Sequence, residues 1–144
     1  MTAPDVADVG LLDTSTLILF ERIDDPSSLP GQPVITAITL AELSVGPLVT
    51  ADATERATRQ ARLQQAEADF DPLPFDAAAA RAFGRVAASL RQAGRKAHAR
   101  AYDAMIAAIA ISNDLPLYTC NPRDFAHMDG LDLRAIPHPD GAAS

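Results

Sequence analysis

The chain has 144 residues, with 12 Lys and Arg against 19 Asp and Glu, for a formal net charge of −7. That balance argues against indiscriminate nucleic-acid binding, which draws on many cationic contacts, and leaves room only for a local basic strip. Hydrophobic residues make up 48% and Cys120 is the only cysteine, so an internal disulfide and a cysteine-rich zinc site are excluded and a reducing compartment is favoured.

In chain order, "MTAPDVADVG" has neither the basic start nor the apolar core of a signal peptide. No apolar run approaches the roughly 18 residues that span a bilayer. The expectation is a soluble cytoplasmic protein without membrane contact, folded as one domain over 1–144 with flexible ends at 1–8 and 137–144. Val9–Asp13 reads as a short buried strand and Ser15–Arg22 as a helix. Asp24–Pro33 is a loop rich in turn residues. "VITAIT" (34–39) is β-branched and apolar, a second buried strand, and "LAELSVG" (40–46) a short helix stopped by Gly46-Pro47. Ala53–Asp69 reads as a polar helix with apolar points at Ala57, Ala61 and Ala68. "DPLPF" (71–75) reads as an edge strand, where prolines are tolerated.

Asp76–Ala93 is a helix with an Asp N-cap and Gly94 at its end. The polar, basic "GRKAHAR" (94–100) leads into Tyr102–Ser112, a helix apolar on most sides and so deeply buried. Leu115–Thr119 is a strand, "PRDFAHM" (122–128) a short helix and "LRAI" (133–136) a last strand. Continuous apolar strands alternating with helices predict an α/β fold, a central parallel sheet with helices on both faces. Ligands of such sheets bind outside the carboxyl ends of the strands. Asp13, Thr39–Glu42 and Thr119–Asp124 fall at those ends and should converge.

Each acid there has two readings. Asp13 is a helix N-cap, a metal ligand, or both. Glu42 completes a capping box with Thr39, or faces the crevice. Asp103 shares a helix face with Ala99, Ala107 and Ala110. It is either a favourable first-turn acid or the sign of a polar pocket. Asp124 follows Asn121 and Pro122 as an ordinary first-turn acid would. Several carboxylates at one dry mouth need a counter-charge. A hard divalent cation with oxygen ligands provides it, and such a site supports attack of activated water on a phosphodiester.

"LLDTSTLI", "TAITLAELSVG", "YDAMIAAIA" and "YTCNPRDF", in this order and spacing, resemble the PIN-domain ribonucleases, and more narrowly the VapC toxins of bacterial toxin–antitoxin modules. The resemblance covers Val9 to Ile136. It implies that Asp13, Glu42 and Asp103 bind the metal. Where relatives carry a fourth acid at the position of Asn121, this chain has an amide, and the role falls to Asp124. Ser15, Thr119 and Asn121 are implied as hydrogen-bonding residues around the acids or the substrate. The family further implies a Mg²⁺-dependent endoribonuclease, with Mn²⁺ able to substitute. It acts on structured RNA such as tRNA or rRNA, forms homodimers and is inhibited by a cognate VapB-like antitoxin.

Arg95, Lys96 and Arg100 just before Asp103 form a candidate phosphate-contacting strip; the alternative is a mobile polar loop. Arg56, Arg59 and Arg62 form either a second basic stripe or a solvated face paired with Glu55 and Glu67. Two rival functions remain. A phosphohydrolase of haloacid-dehalogenase type needs a second Asp two residues after the first, where this chain has Ser15. A non-catalytic PIN-like binding module would be marked by loss of an acid, and the three core acids are present. No glycine-rich phosphate loop follows the first strand, which removes a dinucleotide-binding fold.

Overall fold

The computed structural model describes residues 8–141. Four parallel strands, β1 (Val9–Leu12), β2 (Gln32–Val34), β3 (Leu117–Thr119) and β4 (Leu133–Ala135), form one sheet in the order β2-β1-β3-β4. Five helices accompany them: α1 (Thr14–Leu19), α2 (Ala37–Val45), α3 (Ala53–Asp69), α4 (Ala77–Gln92) and α5 (Ala101–Ser112).

The two inner strands explain why their sequences are apolar without alternation. Leu11 and Leu117 enter a core with Val86 and Leu90 of α4 and Ile106 and Ile109 of α5. Leu12 and Tyr118 point to the other face, against Cys120 and Ile136, with Leu17, Leu19 and Phe20 packed over them. Helices and turns therefore cover both faces, as a parallel sheet requires. Ile106 to Ala110 are all 0% exposed, so the middle of α5 is enclosed on every side, which anchors its amino end relative to β1 and β3. Full burial of each Leu or Ile stabilises by about 1.5–3 kcal/mol.

The structure shifts several sequence boundaries. The run 34–39 is not a strand throughout: β2 ends at Val34, and Thr36 becomes the N-cap of α2, its Oγ1 accepting from the Thr39 amide at 3.1 Å. Capping overrides β-propensity here. "DPLPF" contributes only a bridge, in which the Leu73 amide donates to Ile35 and Ala37 donates to the Leu73 carbonyl, at 2.9 and 2.8 Å. Pro72 and Pro74 on either side lack the donors to extend it.

The first helix starts at Thr14 and tightens to a 3-10 turn over Phe20–Arg22, and "PRDFAHM" reduces to a 3-10 turn at Pro122–Phe125. α3 has the expected span, but Ala57, Ala61 and Ala68 are exposed. Its inward side is Leu63 and Ala66, which pack with Ile35, Leu43 and Phe70. Alanine there reflects helix propensity rather than core position. Asp76 caps α4 through the Ala79 amide at 3.0 Å, and Gly94 follows with φ +76°.

Of the ends expected to be flexible, residues 1–7 and 142–144 lie outside the described residues. Within the rest, Asp140 pairs with Arg22.

Gly10 in β1 has a packing reason. A Cβ there would lie 2.6 Å from Cδ1 of Tyr118 and 2.7 Å from Cβ of Pro30, closer than packed atoms tolerate. Gly10→Ala is expected to destabilise the protein by about 1–3 kcal/mol. Chemical denaturation checks this; an unchanged midpoint would show that the ring moves aside freely.

Candidate active site

β1 delivers Asp13 to the carboxyl edge of the sheet, where the chain turns into α1. Asp13 is 3% exposed. Its Oδ1 accepts from the Thr16 amide at 3.3 Å, making it the N-cap of α1. Its Oδ2 accepts from Ser15 Oγ and from Thr119 Oγ1 of β3, each at 3.1 Å. Burial pushes this carboxyl above its ordinary range, and the hydrogen bonds from Thr16, Ser15 and Thr119 pull it back. Capping does not exhaust the side chain, because each carboxylate oxygen retains acceptor capacity.

Behind Asp13 stands a relay. Asn121 Nδ2 donates to Ser15 Oγ at 2.9 Å, and the Asn121 amide donates to Thr119 Oγ1 at 2.9 Å. Asn121 occupies the cap position of the 3-10 turn at Pro122–Phe125, but its side chain makes no cap bond. It is turned to the acid network instead.

Glu42 reaches the same place from α2. The capping box with Thr39 does not form, because the cap is Thr36 and Glu42 lies beyond the first turn. Glu42 Oε1 accepts from Thr14 Oγ1 at 2.7 Å, and Thr14 Oγ1 lies 2.9 Å from Thr39 Oγ1. Burial raises the Glu42 carboxyl, the Thr14 bond opposes that, and the charge of Asp13 adds to it.

Asp103 comes from the first turn of α5, and Asp124 from the 3-10 turn after β3. Burial pushes Asp103 up to about 7, with further upward pressure from Asp124, Asp13 and Glu42 and a smaller opposing pull from Arg100. Four acids distant in sequence thus share one electrostatic neighbourhood, and Asp103 feels all the others. Arg100 Nη1 stands 3.0 Å from Asp124 Oδ1 and 3.9 Å from Asp103 Oδ2. Arg95 and Lys96 stay exposed on the preceding turn, away from the cleft. That cleft has a volume of about 440 Å³ and is lined by Glu42, His98, Arg100, Tyr102 and Asp103. Of the other basic stripe, Arg59 is engaged by Glu55 and the Gly46 carbonyl and Arg56 by the Thr50 carbonyl, as on a solvated face.

The donor set is all oxygen and carries excess negative charge, which fits a hard divalent cation and suits soft metals poorly. Among the described residues no three acids are gathered around one point, and Asp124 is paired with Arg100. Two contributors carried no clear signal in the sequence. Thr14 looked interchangeable with its neighbours in "TST", yet it alone holds Glu42. Tyr102, 57% exposed beside Asp103, looked like a core residue of an apolar helix.

Residues 11–131 match the PIN domain family. Ribonuclease VapC5 of Mycobacterium tuberculosis is 42% identical over 123 residues, 84% of this chain and 88% of that protein. Ribonuclease VapC1 of Rickettsia felis is 28% identical over 90% of this chain and 98% of its own. Among solved structures, the VapBC-5 toxin–antitoxin complex of M. tuberculosis superposes with a TM-score of 0.76 at 39% identity, covering 90% of this chain and 98% of that one. DNA-bound VapBC from Salmonella typhimurium gives a TM-score of 0.68 at 27% identity, covering 87% and 96%. With its parallel sheet, the acids at the sheet's carboxyl edge and this breadth of likeness, the chain belongs to the PIN-domain family, in its VapC ribonuclease branch.

Proposed function

We propose that this protein is the toxin of a toxin–antitoxin pair, a divalent-metal-dependent endoribonuclease that hydrolyses phosphodiester bonds of structured RNA, tRNA or rRNA, in the cytoplasm. The observation that carries the reading is that Asp13, Glu42 and Asp124 all bear on Asp103, which burial and their charge raise to about 7, at a cleft lined by Glu42 and Asp103. PIN-domain ribonucleases are generally divalent-metal dependent, and Mg²⁺, with Mn²⁺ as substitute, is the ion assigned here.

Asp13, Glu42 and Asp103 are the residues that would hold the ion, with Asp124 completing the set. A bound ion supplies Lewis acidity, lowering the pKa of water and stabilising the leaving oxygen. The chain's own residues do the rest. Ser15 and Thr119 fix the rotamer of Asp13, and Asn121 fixes Ser15. Thr14 aims Glu42. Arg100 stands beside the acids where a phosphate oxygen would have to approach.

A VapB-like antitoxin and a second copy of the chain are the proposed protein partners. The solved VapBC complexes support the first. So do Val45 at the end of α2 and Leu48 and Val49 just beyond it, which are 50, 84 and 68% exposed and are apolar residues of the kind that partners cover. A guanidinium from the antitoxin suits a pocket of carboxylates, since it can bind two oxygens at once and displace metal.

Cleavage of RNA is expected only with Mg²⁺ or Mn²⁺. Asp13→Asn, Glu42→Gln and Asp103→Asn should each lower the initial rate by about 100-fold or more, and Asp124→Asn by less. Rates on purified RNA check this, and full activity in excess chelator would overturn the metal reading.

The acids also predict a stability signature. For Asp103 the folded state binds protons more strongly than the unfolded state between 3.8 and about 7. Stability therefore declines as pH rises through that window, and the cost is complete above it. In chelator, Asp103→Asn should melt higher than wild type at about pH 8 and show a shallower decline from about pH 5. Differential scanning fluorimetry reads both, and parallel profiles would mean that Asp103 is not electrostatically burdened.

A further inference from the structure

We propose that Arg100 is a resident competitor for the metal: its guanidinium pairs with Asp124 beside Asp103 and has to let go before an ion can use Asp124. The inference rests on the proposed metal-dependent reading and asks what the chain itself does with its acids when no ion is bound.

Arg100 is placed by backbone rather than by chance of rotamer alone. It ends a 3-10 turn, Ala97–Arg100, whose last residue is also the residue before α5. Asp103 follows three residues later on the same helical surface, so the pair is held side by side. Asp124 comes from the opposite direction, from the turn after β3, and meets the guanidinium at 3.0 Å. One cation therefore stands between the carboxylate of α5 and the carboxylate of the turn after β3. The guanidinium is always charged, so it does not leave by deprotonation.

A divalent ion entering among these acids meets two opposing effects. It gains from each carboxylate it binds, and it loses from a fixed positive charge in contact with two of them. For the ion to use Asp124, the Arg100–Asp124 contact must break. The Arg100 side chain is 38% exposed, and it lines the cleft with His98 and Tyr102. Once released, it can turn toward the cleft without losing solvation, and the ligand there with matching geometry is a phosphate oxygen pair. Arg100 thus restrains ion loading in the resting protein and contributes to substrate binding in the loaded one.

The test measures Mn²⁺ binding by calorimetry on the full chain, at fixed pH and ionic strength. Arg100→Gln should bind Mn²⁺ about two- to fivefold more tightly than wild type, the range that a solvent-accessible ion pair supports, while cleaving RNA more slowly. Tighter binding and slower cleavage together are a signature that a merely structural role would not give. Arg95→Gln with Lys96→Gln removes two positive charges from the same stretch without touching the acids and should leave Mn²⁺ affinity unchanged. An equal gain in that double variant would assign the effect to net charge and overturn the proposal. In an Asp124→Asn background, Arg100→Gln should have a smaller effect on Mn²⁺ affinity, and an undiminished effect would show that the contact with Asp124 is not the restraint. Melting curves in chelator confirm that each variant is folded. If wild type binds Mn²⁺, Asp103→Asn does not, and Arg100→Gln matches wild type, this inference fails while the metal reading stands. If wild type itself binds no Mn²⁺, the metal reading fails and takes this inference with it.

Discussion

The burial of one carboxylate constrains everything else in the molecule. Asp13 sits at the end of an inner strand, almost without solvent, and an ionised group in that position is costly unless its oxygens are satisfied. Its hydrogen bonds come from Thr16 and Ser15 of α1 and from Thr119 of β3. The same contacts that make Asp13 tolerable also tie the first third of the chain to the last. The pairing of β1 with β3 places Thr119 beside Asp13, and Gly10 leaves the room that Tyr118 needs in that pairing. A change anywhere along this seam reaches the acid.

The other acids are accommodated by weaker means. Glu42 is held by a hydroxyl, Asp103 by its place at a helix amino end and by Arg100, and Asp124 by Arg100 directly. Hydroxyls donate to a carboxylate without neutralising it, so they orient the acids and leave the negative potential intact. That potential adds to the burial that raises Asp103. Stability is traded for a site that attracts a cation, a common bargain where function concentrates like charges.

Much of this was legible in the sequence. The strand-helix alternation and the apolar inner strands gave the parallel sheet, and the rule that ligands sit at carboxyl ends brought Asp13, Glu42 and Asp124 toward one place before any coordinates. Asp103 was legible because a charge among alanines and isoleucines has to face something polar. What stayed hidden depended on side-chain reach. Thr36 rather than Thr39 caps α2 because the bridge to Leu73 fixes Ile35 and Ala37 in register, a long-range constraint invisible to local propensity. The resemblance named Asn121 among the hydrogen-bonding residues, yet that its amide serves Ser15, a residue more than a hundred positions away, had no local signal. Of three cations in one basic stretch, only Arg100 reaches the acids, because only it sits at the junction with α5.

The net charge of −7 sharpens the remaining physical problem. A polyanionic substrate has to bring a phosphate against carboxylates. At an effective dielectric constant near 20, two unit charges about 4 Å apart repel by about 4 kcal/mol, so approach is uphill until the local charge changes sign. Three devices would lower that barrier: uptake of a proton, which the raised carboxyl of Asp103 favours, a divalent ion, and the fixed positive charge of Arg100. They are not equivalent. A proton removes charge but also removes a ligand oxygen, so it works against the ion. Arg100 adds charge yet competes for the same oxygens. Only a divalent ion would neutralise the acids and also favour a phosphate beside them. On the proposed metal-dependent reading, an acidic protein with few cations lining its cleft would acquire its affinity for RNA at this site together with the ion, and the carboxylates that disfavour the fold on their own would be what makes the loaded one bind.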